Sequence, residues 1–151
     1  MKKQFLFVIV LLVSFSCSVK QEPIHYGEDN CVLCQMTIMD QRYGTEIVTG
    51  KGKIYKFDSV ECLVEFMQEN QGKGEEFRFV LFTPFDQPGN LVDAHKSHVL
   101  QSKNLPSPMG MYLTAFETEA SAMNFRDQYG GKVYCWEELL ENFSLLKTLE
   151  R

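Results

Sequence analysis

The stretch KGKIYKFDSVECLVEFMQENQGKG, residues 51–74, contains the second strand of a hairpin and a complete helix. The β-rich runs Thr45–Thr49 and Lys53–Phe57 lie on either side of Gly50-Lys51-Gly52, where glycine accepts the positive φ angles of a tight turn. Two strands joined by such a turn pair in the antiparallel direction. This part of the sequence therefore predicts a β-hairpin.

The second half of the stretch predicts an amphipathic helix directly after the hairpin. Asp58 or Ser59 can cap its N-terminus, and Glu61 can reach back to complete the cap. Gly72 and Gly74 end the helix. Its apolar residues recur at positions i, i+3, i+4 and i+7 and form one stripe, made of Val60, Leu63, Val64 and Met67. A helix with one apolar stripe is expected to cover one face of the sheet.

The same order of elements recurs in the second half of the chain. Further strands are predicted at Phe77–Phe82, His98–Gln101, Met111–Phe116 and Lys132–Tyr134, and further helices at Thr118–Tyr129 and Trp136–Leu149. A shift of 59 positions pairs Phe57 with Phe116, Ser59 with Thr118, Phe66 with Phe125 and Gly72 with Gly131, which favours a duplication. We predict an α+β fold of two small homologous ββα(β) units, each an antiparallel sheet covered by a helix, plus a C-terminal helix.

The N-terminus is similar to a bacterial lipoprotein signal. Lys2 and Lys3 precede an unbroken apolar run that is too short to span a bilayer, and small residues then lead to Cys17. We predict cleavage before Cys17 and lipid attachment to it; secretion with a free thiol is the alternative. The predicted segments are a signal peptide (1–16), a lipid-anchored polar tether (17–30), a first ββαβ unit with a Cys-x-Met motif (31–88) and a second ββαβ unit with the C-terminal helix (89–151).

Composition excludes several classes of protein. Of the 151 residues 44% are hydrophobic, which is too many for a disordered tail. The net charge is −5 without a run of lysine or arginine, which argues against nucleic-acid binding because phosphates need a basic patch. The sequence carries no G-x-S-x-G, no HExxH and no phosphate-binding glycine loop. These features predict a binding protein rather than an enzyme, with an acidic balance that suits a cation carrier.

The densest chemical signal is Cys31-Val-Leu-Cys34-Gln-Met36. In an extended segment the side chains of Cys34 and Met36 point the same way, so a thiolate and a thioether can converge on one ion. These soft donors select Cu(I), whereas Ca²⁺ and Mg²⁺ prefer oxygen. A Cu(I) site is predicted here; a core methionine beside a structural cysteine is the alternative.

A third ligand is predicted in Pro106-Ser-Pro-Met109-Gly110-Met111. Packing does not require a large apolar residue in a loop of prolines and glycine, and the 59-residue shift places Met109 at the hairpin turn opposite Gly50. We expect Met109 to bind the ion and Met111 to point into the core. Further candidate ligands are Met111, Cys31 and His25, although His25 also reads as a solvated linker residue.

Cys31 and Cys34 also form a CxxC motif, which leaves two other functions open. A periplasmic thiol–disulfide oxidoreductase places this motif at the start of a helix after a strand, a context that the sequence does not show. A structural zinc site would need His95 and His98, which lie about 60 residues away, far from zinc-finger spacing.

Two further cysteines have no role assigned by their sequence context. Cys62 lies roughly 150° around its helix from the apolar stripe, so we expect it to face solvent or the other unit. Cys135, between a strand and the last helix, reads as an ordinary buried thiol. In an oxidising compartment either can form a disulfide, and the pairing stays open.

Several segments together carry a family resemblance: the lipoprotein-like start, CVLCQMTIMDQRYG, KGKIYKFDSVEC, PMGMYLTAF and YGGKVYCWEEL. They resemble the NosL family of nitrous oxide reductase accessory proteins. The resemblance implies two homologous ββα-type units and a Cu(I) chaperone anchored by lipid on the periplasmic side of a bacterial membrane, expected to be the outer one.

The resemblance also implies a partner and a ligand set. Copper would pass to nitrous oxide reductase, whose catalytic centre is a copper–sulfide cluster, or to a copper-loading accessory protein. Carried over by motif, the ligands are Cys34, Met36 and Met109. Copper delivery to a different cuproprotein stays open, because a fold does not fix a partner.

Overall fold

The computed structural model describes residues 19–149. The predicted signal peptide and the predicted lipid attachment at Cys17 lie outside the described residues. Within the described range, no helix has both the length and the apolar character needed to cross a membrane.

The first sheet contains β1 (Thr45–Thr49), β2 (Ile54–Phe57), β3 (Phe77–Phe82) and β4 (Val92–Asp93) in the order β2-β1-β3-β4, with every neighbouring pair antiparallel. Helix α1 (Val60–Asn70) begins directly after β2. Ser59 caps it, because its hydroxyl accepts a hydrogen bond from the backbone N–H of Cys62. The first turn of α1 is thereby fixed beside the end of β2.

The second sheet repeats this topology. It contains β5 (His98–Gln101), β6 (Leu113–Phe116) and β7 (Lys132–Cys135) in the order β6-β5-β7, with α2 (Glu119–Tyr129) between β6 and β7 and α3 (Trp136–Leu149) after β7. In both units the first strand of a ββαβ sequence lies in the middle. The predicted α+β fold of two similar units and a C-terminal helix is confirmed.

One predicted strand begins later than expected. The pattern placed Met111 at the start of a strand, but β6 begins at Leu113. Tyr112 has φ 61°, in the left-handed region, and this residue interrupts the extended backbone. Met111 therefore belongs to the preceding loop, although its side chain is buried as expected.

The two units share one core. Side chains of α1 and of the first sheet pack in the same buried cluster as Val99 and Leu113 of the second sheet and Phe143 of α3. The rings of Phe82 and Trp136, one from each half of the chain, meet edge to face with centroids 5.5 Å apart. Strand β4, which follows residue 88, pairs with β3 of the first sheet. The predicted unit boundary thus lies inside a continuous packed structure.

Residues 22–30, within the predicted tether, form a segment that is docked on the first unit. Ile24 is buried, and the ring of Tyr26 lies so close to Gly44 that a Cβ at Gly44 would meet the Tyr26 hydroxyl at 2.7 Å. The ammonium of Lys56 donates hydrogen bonds to the carbonyl oxygen of Pro23 and to the carboxylate of Asp29. The sequence did not indicate this docking because only two large apolar residues anchor an otherwise polar segment.

The docked segment covers a carboxylic acid, Glu46 of β1. This side chain is fully buried, and one of its oxygens accepts a hydrogen bond from the backbone N–H of Glu22. The pKa of Glu46 is raised from 4.5 to about 7, chiefly by burial: the nearby charges of Glu22 and Asp29 act in the same direction, and the hydrogen bond from the Glu22 N–H and the charge of Lys56 oppose them. The folded protein therefore binds this proton more tightly than the unfolded chain does.

We expect Glu46→Gln to be more stable than the wild type at pH 8 by on the order of 1–3 kcal/mol. The raised pKa means that the contribution of Glu46 is fully present below pH 4.5 and is lost as the pH rises through about 7. The difference should therefore vanish towards pH 4, as measured by urea unfolding across this range. Glu28→Gln, on the exposed part of the same segment, is the control. An equal effect of Glu46→Gln at both ends of the range would contradict this account.

Candidate metal centre

The loop at residues 31–36 is held against the edge of the first sheet. The backbone N–H of Val32 donates to the carbonyl oxygen of Lys56 in β2 at 2.9 Å. Within the loop, the N–H of Cys31 donates to the carbonyl oxygen of Met36 at 2.8 Å and the N–H of Gln35 to that of Cys31 at 3.0 Å. Gln35 has φ 64°, so the loop closes as a tight turn. This turn brings both cysteines of the CxxC motif to the point where β2 ends and α1 begins.

Four side chains meet at this point. The sulfur atoms of Cys31, Cys34 and Cys62 and a carboxylate oxygen of Asp58 all lie within 4.8 Å of one another. Asp58 follows β2, and Cys62 lies in the first turn of α1. The thiol of Cys34 donates to Oδ2 of Asp58 at 3.5 Å. We call these four residues the thiol cluster.

The thiol cluster is open to solvent on the side of Cys34. Cys31 is 0% exposed and Cys62 and Asp58 are buried, whereas Cys34 is only half-buried. Oδ1 of Asp58 is buried without a hydrogen-bond partner. None of the four cysteines in residues 19–149 is in a disulfide. The cluster therefore has three sulfur donors that are not in disulfides, and Cys34 is the one among them that reaches solvent.

The three thiols differ in acidity. The pKa of Cys31 falls to about 6, because the Cys62 thiol donates a hydrogen bond to its sulfur and the N–H groups of Cys34 and Asp58 also reach it. Burial raises the pKa of Cys34 to about 11, with the negative charges of Asp58 and Cys31 acting in the same direction. The pKa of Cys62 is also raised, because its thiol donates to Cys31 and is buried. Near neutral pH the cluster thus holds one thiolate and two thiol protons that a metal ion can displace.

The Cys-x-Met pair is arranged differently from the extended segment that the sequence analysis assumed. The left-handed backbone at Gln35 separates Cys34 from Met36, and the N–H of Met36 makes a hydrogen bond to the Cys34 sulfur. The side chain of Met36 is 55% exposed. The thioether of Met36 is therefore largely open to solvent, two residues after the half-buried Cys34.

Met109 lies at a second approach to the cluster. A cavity of about 240 Å³ is lined by Cys62 of α1, by Met109 and Met111 of the loop before β6, and by Lys147 of α3. Met109 is 39% exposed and Met111 is buried. Cys62 thus belongs to the thiol cluster and also borders the cavity that Met109 lines. Cys62 was expected to face solvent or the other unit: solvent is excluded because the side chain is buried, and the other unit is confirmed by the cavity that Cys62 shares with Met109 and Met111.

The histidines lie outside the thiol cluster. His25 is exposed and its Nδ1 lies 3.5 Å from the carboxylate of Asp29. His95 bonds to Asp93 at 3.0 Å and packs its ring against Trp136. In the part of the chain that the structure describes, the alternative zinc set of Cys31, Cys34, His95 and His98 is not assembled.

Two members of the thiol cluster, Asp58 and Cys62, were not among the candidate ligands from the sequence. The signal that points to them is Phe57-Asp-Ser-Val-Glu-Cys62, in which a capping segment joins a strand to a helix with a cysteine in its first turn. That pattern places the Cys62 thiol at the start of a helix, but it does not show that Cys31 and Cys34 pack against it.

Comparison with known proteins places this arrangement in a family. The sequence model of the family named NosL matches residues 24–143. The chain belongs to the NosL family. The fold also resembles the crystal structure of the copper chaperone NosL from Shewanella denitrificans, with a TM-score of 0.68 and 22% sequence identity over 80% of this chain and 96% of that one. Among curated proteins the sequence has no significant match.

The NosL-family fold explains where the site forms. The first ββαβ unit supplies Asp58 and Cys62 from the β2–α1 junction, and the docked N-terminal segment brings Cys31 and Cys34 onto them. The second unit adds Met109 on the far side of Cys62. The sulfur-rich donor set agrees with the predicted copper chemistry, because thiolate and thioether ligands favour Cu(I).

Proposed function

We propose that this protein is a Cu(I) chaperone that binds one ion at the thiol cluster through Cys34 and its neighbouring thiolates, with Met36 and Met109 as thioether ligands. The observation that carries the proposal is the convergence of three cysteine sulfurs within 4.8 Å of one another, from the 31–36 loop and from the first turn of α1. Loss of the thiol protons of Cys34 and Cys62 on binding gives the anionic sulfur that Cu(I) prefers.

The half-exposed position of Cys34 suits transfer of the ion rather than storage. A ligand from an acceptor protein can approach on the side of Cys34 and Met36, while Cys31 and Cys62 stay covered. Cu(I) accepts low coordination numbers, so ligand exchange can proceed without release of the ion into water. The acceptor in this proposal is nitrous oxide reductase or a copper-loading accessory protein, and a lipid on Cys17 holds the chaperone at the periplasmic face of the membrane.

The solved relative supports this proposal at the level of fold. That protein is described as a copper chaperone, and its backbone arrangement is the one found here. The ligand set of the present chain is argued from its own residues. Cys31 and Cys62 add two buried sulfurs to the predicted set of Cys34, Met36 and Met109.

Zinc is a second candidate occupant, because Asp58 contributes oxygen to the cluster. Three cysteines and one carboxylate form a donor set that Zn²⁺ accepts in tetrahedral geometry. The exposed thioethers of Met36 and Met109 favour Cu(I), because thioether sulfur is a ligand that Cu(I) binds and Zn²⁺ rarely does. Asp58 has a different role in a Cu(I) site, where it accepts the hydrogen bond of the Cys34 thiol before the metal arrives.

The geometry disfavours a thiol–disulfide oxidoreductase. In such an enzyme the acidic thiol is the exposed nucleophile. Here the acidic thiol, Cys31, is 0% exposed, and the half-exposed thiol, Cys34, has its pKa raised to about 11. The thiolate that could attack a substrate disulfide is therefore the one that a substrate cannot reach.

Anaerobic titration with Cu(I) against a chromophoric chelator tests the function. We expect one tight site per chain, and a Zn²⁺ titration under the same conditions should give weaker retention. If Zn²⁺ saturates the site and Cu(I) cannot displace it, the site is a structural zinc site and the copper assignment is wrong.

The exposed methionines provide a matched pair of variants. We expect Met36→Leu to weaken Cu(I) binding by about tenfold, since it removes one thioether while keeping the size of the side chain. Met39→Leu should leave the affinity unchanged, because Met39 is 70% exposed and lies beyond the loop at residues 31–36 that carries the cysteines. Both affinities are measured by the same chelator competition. Equal behaviour of the two variants would remove Met36 from the ligand set.

A further inference from the structure

The loop that carries Met109 is fastened to α1 by a buried carboxylic acid. Glu61, the second residue of α1, is 2% exposed. Its Oε1 accepts a hydrogen bond from the hydroxyl of Ser107 and another from the backbone N–H of Leu113 at 3.4 Å. Glu61 was predicted to reach back to the cap of its own helix; its carboxylate reaches Ser59 there, and Oε1 also bonds across to the second unit.

Ser107 organises the loop around Met109. Its hydroxyl accepts from the backbone N–H of Tyr112 at 2.8 Å, and its carbonyl oxygen accepts from the N–H of Gly110 at 3.1 Å. The backbone turns through two residues with positive φ, Gly110 at 77° and Tyr112 at 61°. The non-glycine residue in this region is strained and persists only where its surroundings hold it. The Ser107 bonds help to hold this turn closed, together with the bond from the Ser102 N–H to the Tyr112 carbonyl oxygen at 3.0 Å, and Glu61 fixes Ser107.

The way in which Glu61 is buried indicates a positioning role. Burying a carboxyl group costs free energy unless partners compensate it, yet Oε2 of Glu61 is buried without a hydrogen-bond partner. The two hydrogen bonds of Oε1 run to the second unit, at Ser107 and Leu113, while the carboxylate also reaches Ser59 at the start of its own helix. Glu61 also lines the cavity that Cys62 and Met109 share, and it precedes Cys62 in the chain. The same helical turn therefore carries a thiol of the cluster and the anchor of the methionine loop.

We propose that Glu61 is a positioning residue, which acts through Ser107 to hold the Met109 thioether beside the thiol cluster. This inference rests on the proposed function, in which Met109 binds Cu(I). Glu61 is not itself a ligand in this proposal, because carboxylate oxygens are hard donors that Cu(I) does not favour. Its contribution is to prevent the loop from moving away from α1 and taking the third soft ligand with it.

A double-mutant cycle on the full-length protein tests the inference. Cu(I) affinity is measured by anaerobic chelator competition for the wild type, Ser107→Ala, Met109→Leu and the double variant. We expect Met109→Leu to weaken binding by about tenfold and Ser107→Ala by about fivefold, the value of one net hydrogen bond. The double variant should bind like Met109→Leu alone, because Ser107 acts only through the methionine. Additive losses, or an unchanged affinity of Ser107→Ala, would overturn the inference.

Two further measurements separate positioning from general loss of structure. Glu61→Gln keeps an acceptor oxygen for Ser107 and should bind nearly as the wild type does, whereas Glu61→Leu should match Ser107→Ala. X-ray absorption at the copper edge should show fewer sulfur neighbours in both Ser107→Ala and Met109→Leu. Ser97→Ala is the control, since it removes another buried serine hydroxyl, bonded to the carbonyl oxygen of Asp93, and should leave both readouts unchanged. If copper loses as many sulfur neighbours in Ser97→Ala as in Ser107→Ala, the effect comes from a general disturbance of the fold, and the inference is overturned.

The outcomes distinguish the inference from the proposed function. If the wild type binds no Cu(I), both fail. If Met109→Leu weakens binding and Ser107→Ala does not, the copper site stands and the role of Glu61 is wrong. If Met109→Leu binds as tightly as the wild type, Met109 is not a ligand, and the inference fails while the thiol cluster remains as the site.

Discussion

Replacement of Cys34 by alanine is expected to weaken Cu(I) binding by more than 100-fold. Cys34 is the half-exposed thiol of the cluster, so it is the ligand that receives the ion from solvent or from a donor. Its loss leaves Cys31 and Cys62, which are buried and joined to each other by a hydrogen bond between their sulfur atoms. Loss of an outer-shell partner typically costs 10–100-fold in metal affinity, and loss of a direct anionic ligand should exceed that range.

Chelator competition under anaerobic conditions measures this effect. Cys135→Ala is the matched control, because Cys135 is a free, half-buried cysteine outside the thiol cluster. We expect it to bind as the wild type does. An affinity of Cys34→Ala within threefold of the wild type would show that Cys34 is not a principal ligand, and the buried pair would then have to hold the ion alone.

The second large effect is expected on stability, from Gly131→Ala. Gly131 precedes β7 with φ 102°, and a Cβ at this position would lie 2.0 Å from the carbonyl oxygen of Gln101. That oxygen belongs to the backbone of β5, where Gln101 pairs with Lys132, so it cannot move without disturbing the register. We expect a loss of about 3 kcal/mol or more in the free energy of unfolding, from backbone strain and the clash together.

Gly72→Ala is the control for this prediction. Gly72 lies at the matching place in the first unit, 59 positions earlier, and has φ 80°, but a Cβ there would meet no atom within 4 Å. Its cost should be limited to the backbone strain, about 1–2 kcal/mol. Urea unfolding of the two variants separates the two contributions. Equal losses would show that the close approach of Gly131 to β5 does not matter.

The elements of the fold could be predicted from the sequence because each is specified locally. The stripe of α1, the glycines of the β1–β2 turn and the cap at Ser59 lie within a few residues of the structure that they determine. The 59-residue shift between the halves then gave the repeated topology. Where the prediction departed from the structure, as at the start of β6, the cause was one residue with positive φ, Tyr112.

The complete site could not be predicted because long-range contacts assemble it. Cys34 and Met36 were found through their spacing, whereas Asp58 and Cys62 meet Cys31 only after the N-terminal segment has docked on the sheet. That docking depends on Ile24 and on Lys56, which binds the segment from β2. A polar segment with one buried isoleucine has no periodicity, so its sequence indicates a linker.

The most direct test of the central claim is the sulfur coordination of copper in the wild-type protein loaded with one equivalent of Cu(I). X-ray absorption at the copper edge measures it. We predict a Cu(I) ion surrounded mainly by sulfur, because three cysteine sulfurs meet in the cluster and Cu(I) prefers them to the Asp58 oxygen. A shell dominated by nitrogen or oxygen, or copper that washes off the protein, would contradict the assignment of this site.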